Sequence, residues 1–324
     1  MKASVVIPNW NGEEHLTECL NALKKQTFTD FETIVVDNGS TDGSVALIEN
    51  KFPNVVLVRL PKNIGFAGGV NSGIKIARGE YISLLNNDAI AEPTWLEELI
   101  DAMKHADMAA AKILHYDDHT LVDSTGDFVS KWGLSYPRQR DQKDDVEYTG
   151  YPEIFAASGG ANICKREVYD AIGLLDEDFF AYSEDVDFGF RARLAGFKIV
   201  LAPKARVYHH IGATSGKLGH FARRQSLKNT NYLYLKNMPS PLFWKLLPRF
   251  MFVQTLLFLA AIKAGAITVA LSAYGECLLK LPKTLAKRRQ IQSKRKLTSR
   301  QVEDLLTDHW PLRTRLVSPL AKKL

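Results

Sequence analysis

Five short runs of β-branched and apolar residues, separated by stretches with helical spacing, limit what residues 1–115 can become. The runs are residues 3–7 (ASVVI), 31–37 (FETIVVD), 55–60 (VVLVRL), 81–86 (YISLLN) and 108–114 (MAAAKIL). Between them, residues 13–26 carry Leu16, Leu20 and Leu23 on one helical face. A second helix is expected to be capped by Ser40 or Thr41 and to carry Val45 and Ile48, a third to follow Gly68 or Gly69, and a fourth to cover residues 94–105. Strands that are apolar throughout and alternate with helices predict an α/β fold, a mostly parallel, doubly wound sheet covered on both faces. Ligands of such sheets sit at the carboxyl ends of the strands.

Those ends are polar here. The clusters are PNWNG (residues 8–12), VDNGSTDGS (36–44), LNND (85–88) and, much later, VYHH (207–210). Any one can be a turn, since Asn and Asp are good turn formers, but several on one sheet edge predict a pocket. Asp37 either accepts hydrogen bonds from a base or ribose or caps the turn after its strand. NIGFAGGVNSG (63–73) supplies glycines and a helix N-terminus that can face a phosphate or serve as a tight helix entry. It matches neither GxxxxGK[ST] nor GxGxxG, which counts against ATP hydrolysis and a dinucleotide cofactor.

Asp88 is the one carboxylate of NND. A carboxylate among amides suits Mg²⁺ or Mn²⁺, hard ions often shared with substrate phosphates. His209 or His210 is a candidate further ligand, better suited to Mn²⁺, or else a strand-end residue packed or solvated. SEDVD (183–187) puts three carboxylates at a helix start, where capping and the helix dipole favour them. They follow the aromatic FFAY, and apolar surroundings raise a carboxyl pKa toward the range of a general base. Asp187 and Arg191 are four apart and steady the helix, which leaves Glu184 and Asp185 for the pocket.

Over residues 116–154 periodicity fades and charges rise, notably in RQRDQKDDVE (138–147), and this stretch reads as a mobile excursion near the mouth of the site. Helices return at 166–172 and from near Glu184 to Gly196, followed by a strand at 198–202. The formal net charge is +6 with a pI near 9.0, and twelve Lys and Arg against three acidic residues lie from Pro282 onward. This favours an anionic partner without choosing which. Cys19, Cys164 and Cys277 form no CxxC and support neither disulfides nor zinc, and Pro8 and Asn9 interrupt the first apolar run too early for a signal peptide. A domain boundary is expected at 216, with a helical, basic region over 217–324. Residues 242–281 are rich in Leu, Phe and Ala, and Lys263 is the only charge from 250 to 274. Because Lys263 splits a run that would need about 20 apolar residues to span a bilayer, the expectation is one or two amphipathic, shallowly inserted helices. The basic KRRQIQSKRK (287–296) would then meet anionic headgroups.

SVVIPNWNG, VVDNGSTDGS, NIGFAGGVNSGI, LLNNDA and SGGANICKREVYDAIGLLDEDFFAYSEDVDFGFRARLAGFKIVLAPKARVYHH, in this order over residues 3–215, resemble the inverting family 2 glycosyltransferases of GT-A fold. Most similar are the bacterial rhamnosyltransferase-like members that build surface polysaccharides. The resemblance implies that Pro8, Asn9 and Asp37 line a nucleotide pocket, with Asp37 reading the pyrimidine, and that Gly65, Gly69, Asn71, Asn86 and Asn87 border the donor. It implies that Asp88 binds a divalent metal, Mg²⁺ or Mn²⁺, with His209 or His210 nearby. NND departs from the family's Asp-x-Asp, since its first position is Asn86. Asp185 falls on the catalytic base, with Glu184 beside it. The implied reaction is transfer of a sugar, L-rhamnose before galactofuranose, glucose or N-acetylglucosamine, from a dTDP- or UDP-sugar to a saccharide hydroxyl. The acceptor would be carried on a polyprenyl diphosphate at the cytoplasmic face of the inner membrane, with no nucleic acid partner. Asn86 keeps a non-catalytic nucleotide-sugar-binding protein as the alternative.

Overall fold

The computed structural model describes residues 1–211 and 219–310, so the expected boundary at 216 lies outside the described residues. The chain runs β1 (Ala3–Asn9), α1 (Glu13–Leu23), β2 (Phe31–Asp37), α2 (Ser44–Lys51), β3 (Val56–Arg59), α3 (Gly65–Ile76), β4 (Tyr81–Leu85), β5 (Ala89–Ala91), α4 (Trp95–Ala102) and β6 (Met108–His115). It continues through β7 (Val122–Ser124), β8 (Asp127–Val129), β9 (Ser135–Pro137), β10 (Ala161–Lys165), α5 (Arg166–Ile172), α6 (Glu184–Leu194) and β11 (Ile199–His209). The described C-terminal part is helical: α7 (Gly219–Asn237), α8 (Ser240–Lys263), α9 (Ile267–Leu279), α10 (Leu281–Ser293) and α11 (Ser299–Leu305).

The main sheet has the order β3-β2-β1-β4-β10-β6-β11-β5, with β7 added beside β6. Side chains alternate across β1, because successive residues of a strand point to opposite faces. Val5 and Ile7 pack with Leu16, Leu20, Ile48 and Trp95, while Val6 packs with Val70, Ile74 and Phe188. Helices therefore cover both faces. The sheet is mixed, however, and only its first four strands and the β6–β11 pair are parallel; β10 runs antiparallel between β4 and β6, as do β5 against β11 and β7 against β6. The reason lies in the route of the chain. It leaves β6 at the edge where β4 ends and re-enters there, Ala161 opposite Leu85, so β10 can only run backwards.

Two helix starts differ from expectation. Helix α2 begins at Ser44, because Asp42 accepts from Ser44 N and Oγ, while Ser40 and Thr41 are occupied by Asn11 and Asp37 in the preceding loop. Helix α3 begins earlier, at Gly65, whose φ of +85° suits glycine and whose Cβ would strike Phe180 O. Gly68 and Gly69 are thus inside the helix. The segment read as a mobile excursion contains β7 and the β8–β9 hairpin, and Asp127 exchanges backbone hydrogen bonds with Ala156.

The C-terminal helices are packed onto the α/β body. Phe179, Val186 and Phe190 share one apolar cluster with Tyr232, Leu233, Tyr234, Leu242 and Phe250. Asp176 and Asp178 pair with Lys236, Lys283 and Lys287, while Arg288 and Lys294 donate to the carbonyls of Leu235 and Ala171. Much of the basic stretch expected to meet lipid is thereby used within the protein, since a partly buried acidic pair draws cations. On the outer side, Trp244, Met251, Phe252, Leu259 and Ile262 of α8 and Leu271, Leu278 and Leu279 of α9 are exposed, Leu279 to 85%. Helix α8 is long and apolar enough to cross a membrane by length and composition.

Candidate active site

The expected clusters meet at one sheet edge. At the β1 and β2 ends, Asn9 Nδ2 donates to Asp37 Oδ1 at 3.2 Å, and Asp37 Oδ2 accepts from Ser40 N at 3.1 Å. Asp37 is 3% exposed and forms the floor of this corner. Asn87 Nδ2 donates to Asn9 Oδ1 at 2.7 Å, tying the NND turn to β1. Gly69 packs against Asn38 and Pro8, so the N-terminal part of α3 closes the same corner. Asn71 does something else. Its amide donates to Leu175 O and Glu177 Oε1 and accepts from Leu175 N, which makes it a buried clip between α3 and the segment before α6.

At the metal candidate, Asp88 Oδ1 lies 3.2 Å from His209 Nε2, and His209 Nδ1 lies 2.8 Å from Asp123 Oδ2. The other Asp123 oxygen pairs with Arg140. Burial pulls the His209 pKa down, but the hydrogen bonds and charges of Asp123 and Asp88 outweigh it and raise it to about 10. His210 faces elsewhere. Its ring lies 3.6 Å from Tyr116 and 4.5 Å from His15, centroid to centroid, and its Nε2 lies 3.6 Å from Glu18 Oε2. Of the two histidines the structure brings His209 to Asp88, because alternate residues at a strand end project in opposite directions.

Among the described residues no group of three or more His, Cys, Asp or Glu side chains forms a metal cage. The residues still fit a divalent ion held largely by a ligand: Asn86 Oδ1 is buried without a hydrogen-bond partner, and buried Asp88 Oδ1 has only His209 Nε2 beside it. Two oxygens and an imidazole suit Mn²⁺ or Mg²⁺ when phosphate and water complete the sphere.

The third corner is the start of α6. Asp185 Oδ2 accepts from Gly159 N at 2.6 Å and its Oδ1 from Val186 N at 2.7 Å. Burial raises its pKa above the ordinary carboxylate range, with these backbone hydrogen bonds opposing. Glu184 is buried, its Oε2 has no partner, and burial followed by the adjacent Asp185 charge raises its pKa strongly. Asp127, also buried with an unpartnered Oδ2, is raised by burial and by Asp185. Gly160 O accepts from Asn86 N, so Gly159 and Gly160 hold the carboxylate corner beside the NND turn.

The entry to α6 is unusual. Phe180, Tyr182 and Ser183 have φ of 65°, 71° and 65°, a left-handed conformation that non-glycine residues adopt at a cost. Helix α7 braces it, with Asn229 Nδ2 2.6–3.1 Å from the carbonyl oxygens of Phe179, Ala181 and Tyr182. Lys236 and Asn237 reach Asp187, which also pairs with Arg191. Asp123, Asp127, Arg140 and Asn229 were not among the expected site residues. In the sequence, the DSTGD stretch (123–127) carries a signal for the two carboxylates, placed around a turn inside the segment read as a mobile excursion.

The profile of "Glycosyl transferase family 2" matches residues 4–173. The chain belongs to this family. A Mycobacterium tuberculosis relative, "N-acetylglucosaminyl-diphospho-decaprenol L-rhamnosyltransferase", is 27% identical over 274 residues, covering 75% of this chain and 88% of that one. An uncharacterized glycosyltransferase of a Nostoc species is 26% identical over 180 residues, 54% of each chain. The chain spans only 25% of a Sinorhizobium fredii relative that is 27% identical over 233 residues. Among solved structures, Staphylococcus aureus TarS 1–349 superposes with a TM-score of 0.55 at 21% identity, covering 97% of this chain and 92% of that one. GalNAc-T7 with UDP, GalNAc and Mn²⁺ gives 0.58 at 17% identity over 73% and 48%. The family 2 member thus has the GT-A fold expected from its motifs.

Proposed function

We propose that this family 2 glycosyltransferase transfers a sugar, L-rhamnose in the first instance, from a nucleoside-diphosphate donor to a saccharide hydroxyl with inversion at the anomeric carbon. The observation that carries this reading is Asp185, a partly exposed carboxylate of raised pKa fixed by Gly159 N beside the NND turn. The Asn9, Asp37 and Asn87 corner, closed by Pro8 and Gly69, receives the nucleotide. Asp185 takes the proton of the acceptor hydroxyl as that oxygen attacks the anomeric carbon opposite the nucleoside diphosphate. One displacement inverts the centre and requires no covalent nucleophile. Glu184 is the neighbour of Asp185 in the chain, with its own pKa raised by burial and by the Asp185 charge. Asn86, Asp88 and His209 would hold a divalent cation, which supplies charge to offset the departing diphosphate.

The mycobacterial relative's name supports rhamnose and a polyprenyl-diphosphate-linked acceptor, and "UDP-GlcNAc" in a TarS complex supports N-acetylglucosamine as the competing donor. The apolar outer faces of α8 and α9 support seating on a membrane surface, in this reading the cytoplasmic face of the inner membrane. A non-catalytic binding protein rests on Asn86 alone. The test combines dTDP-rhamnose, UDP-GlcNAc, UDP-glucose, UDP-galactofuranose and GDP-mannose with a synthetic prenyl-diphosphate saccharide, with Mn²⁺, Mg²⁺ or chelator. Transfer from one donor with inverted configuration, read by NMR, is expected; binding without transfer by any donor would favour the non-catalytic protein.

A further inference from the structure

The geometry points to Asp123 as the positioning residue of His209, holding the imidazole so that Nε2 faces Asp88 and the cation site. This inference rests on the divalent-cation reading above. Pairing of His209 with Ala89 of β5 and His115 of β6 fixes its backbone but leaves the ring free to turn about its side-chain bonds. Two carboxylates remove that freedom, Asp123 at 2.8 Å from Nδ1 and Asp88 at 3.2 Å from Nε2. An imidazole that ligates a metal has given up one of its two ring hydrogens. With the remaining hydrogen on Nδ1 and donated to Asp123, the Nε2 lone pair is the one left for a metal.

Asp123 is placed for this task and not for ligation. It is buried in β7, which pairs with β6 alongside β11, and both of its oxygens are engaged, Oδ2 by His209 and Oδ1 by Arg140. Arg140 pairs with this buried carboxylate from the side away from His209. Asp123 and Arg140 therefore act on the cation through His209.

The test titrates Mn²⁺ by electron paramagnetic resonance, with UDP or dTDP present, into wild type, Asp123→Ala, His209→Ala and the double variant. Asp123→Ala is expected to weaken Mn²⁺ about 10–100-fold, the usual effect of removing an outer carboxylate, and to add nothing in the His209→Ala background. Wild-type affinity in Asp123→Ala, or an equal loss with and without His209, would overturn the inference. Should Asp123→Ala not fold, Asp123→Asn keeps the volume and one acceptor and is expected to give a smaller loss through the same cycle. If His209→Ala leaves Mn²⁺ affinity unchanged, His209 is no ligand and the role of Asp123 fails; if wild type takes up none, the cation reading itself fails and the role of Asp123 with it.

Discussion

Gly159 N donates to Asp185 Oδ2 at 2.6 Å, and a Cβ at Gly159 would lie 3.2 Å from that oxygen. Together with Val186 N on Oδ1, this backbone N–H sets the position of the proposed base, and a side chain at Gly159 would crowd it. Gly159→Ala requires the carboxylate to give by a few tenths of an ångström. Misplacement by about 1 Å costs up to about 10²-fold, so this smaller shift is expected to lower kcat by about two- to tenfold while donor affinity, measured by calorimetry, is unchanged.

The acidity of the same group predicts the pH profile. Burial holds the Asp185 pKa above the ordinary carboxylate range despite two backbone donors. As a base it works only when ionised, so kcat/KM is expected to decline as pH falls through a value above about 4, the ordinary Asp range. A profile flat down to pH 4 would remove that expectation.

Glu184 gives a stability test with a defined sign. Its folded carboxyl keeps its proton to higher pH than the unfolded one, through burial and the neighbouring Asp185. The folded state therefore binds more protons, and stability declines as pH rises above the ordinary carboxylate range. Glu184→Gln removes this loss. Its melting temperature at pH 7 is expected to exceed wild type by about 2–4 °C, and the difference is expected to vanish near pH 4.

Much of this architecture was legible because burial on both faces makes β1, β2, β4 and β6 apolar along most of their length, and because Asp88, Glu184 and Asp185 sit at element ends that local spacing reveals. The direction of β10 was not, since it depends on where the chain re-enters the sheet. Neither was Asp123, whose role is created by a histidine 86 residues away. The start of α2 was missed because Ser40 and Thr41 are drawn into contacts with Asn11 and Asp37. The basic stretch was read as lipid-facing because its partners Asp176 and Asp178 are distant in sequence.

Asn229 binds the C-terminal helices to the turn that leads into α6 and the proposed base. Its amide faces three carbonyls of a left-handed segment and is fully buried. Asn229→Ala is expected to cost about 1–3 kcal/mol of stability and to lower kcat more than it raises donor KM. Denaturant unfolding and steady-state kinetics measure the two effects separately.

The exposed faces of α8 and α9 make membrane seating testable without harming the fold. Leu271 and Leu279 are 55% and 85% exposed, and surface changes of this kind usually fall within about 0.5 kcal/mol. Leu271→Glu with Leu279→Glu is expected to weaken co-sedimentation with anionic vesicles about tenfold or more, with an unchanged melting temperature. Full retention on vesicles would take the apolar faces out of the membrane role.

The most direct measurement is sugar transfer by Asp185→Asn beside its donor binding. The account predicts transfer reduced by about 10²–10⁴-fold with donor affinity equal to wild type, because the nucleotide corner at Asn9, Asp37 and Asn87 does not depend on the Asp185 charge. Turnover at the wild-type rate would contradict it and take the base role away from Asp185.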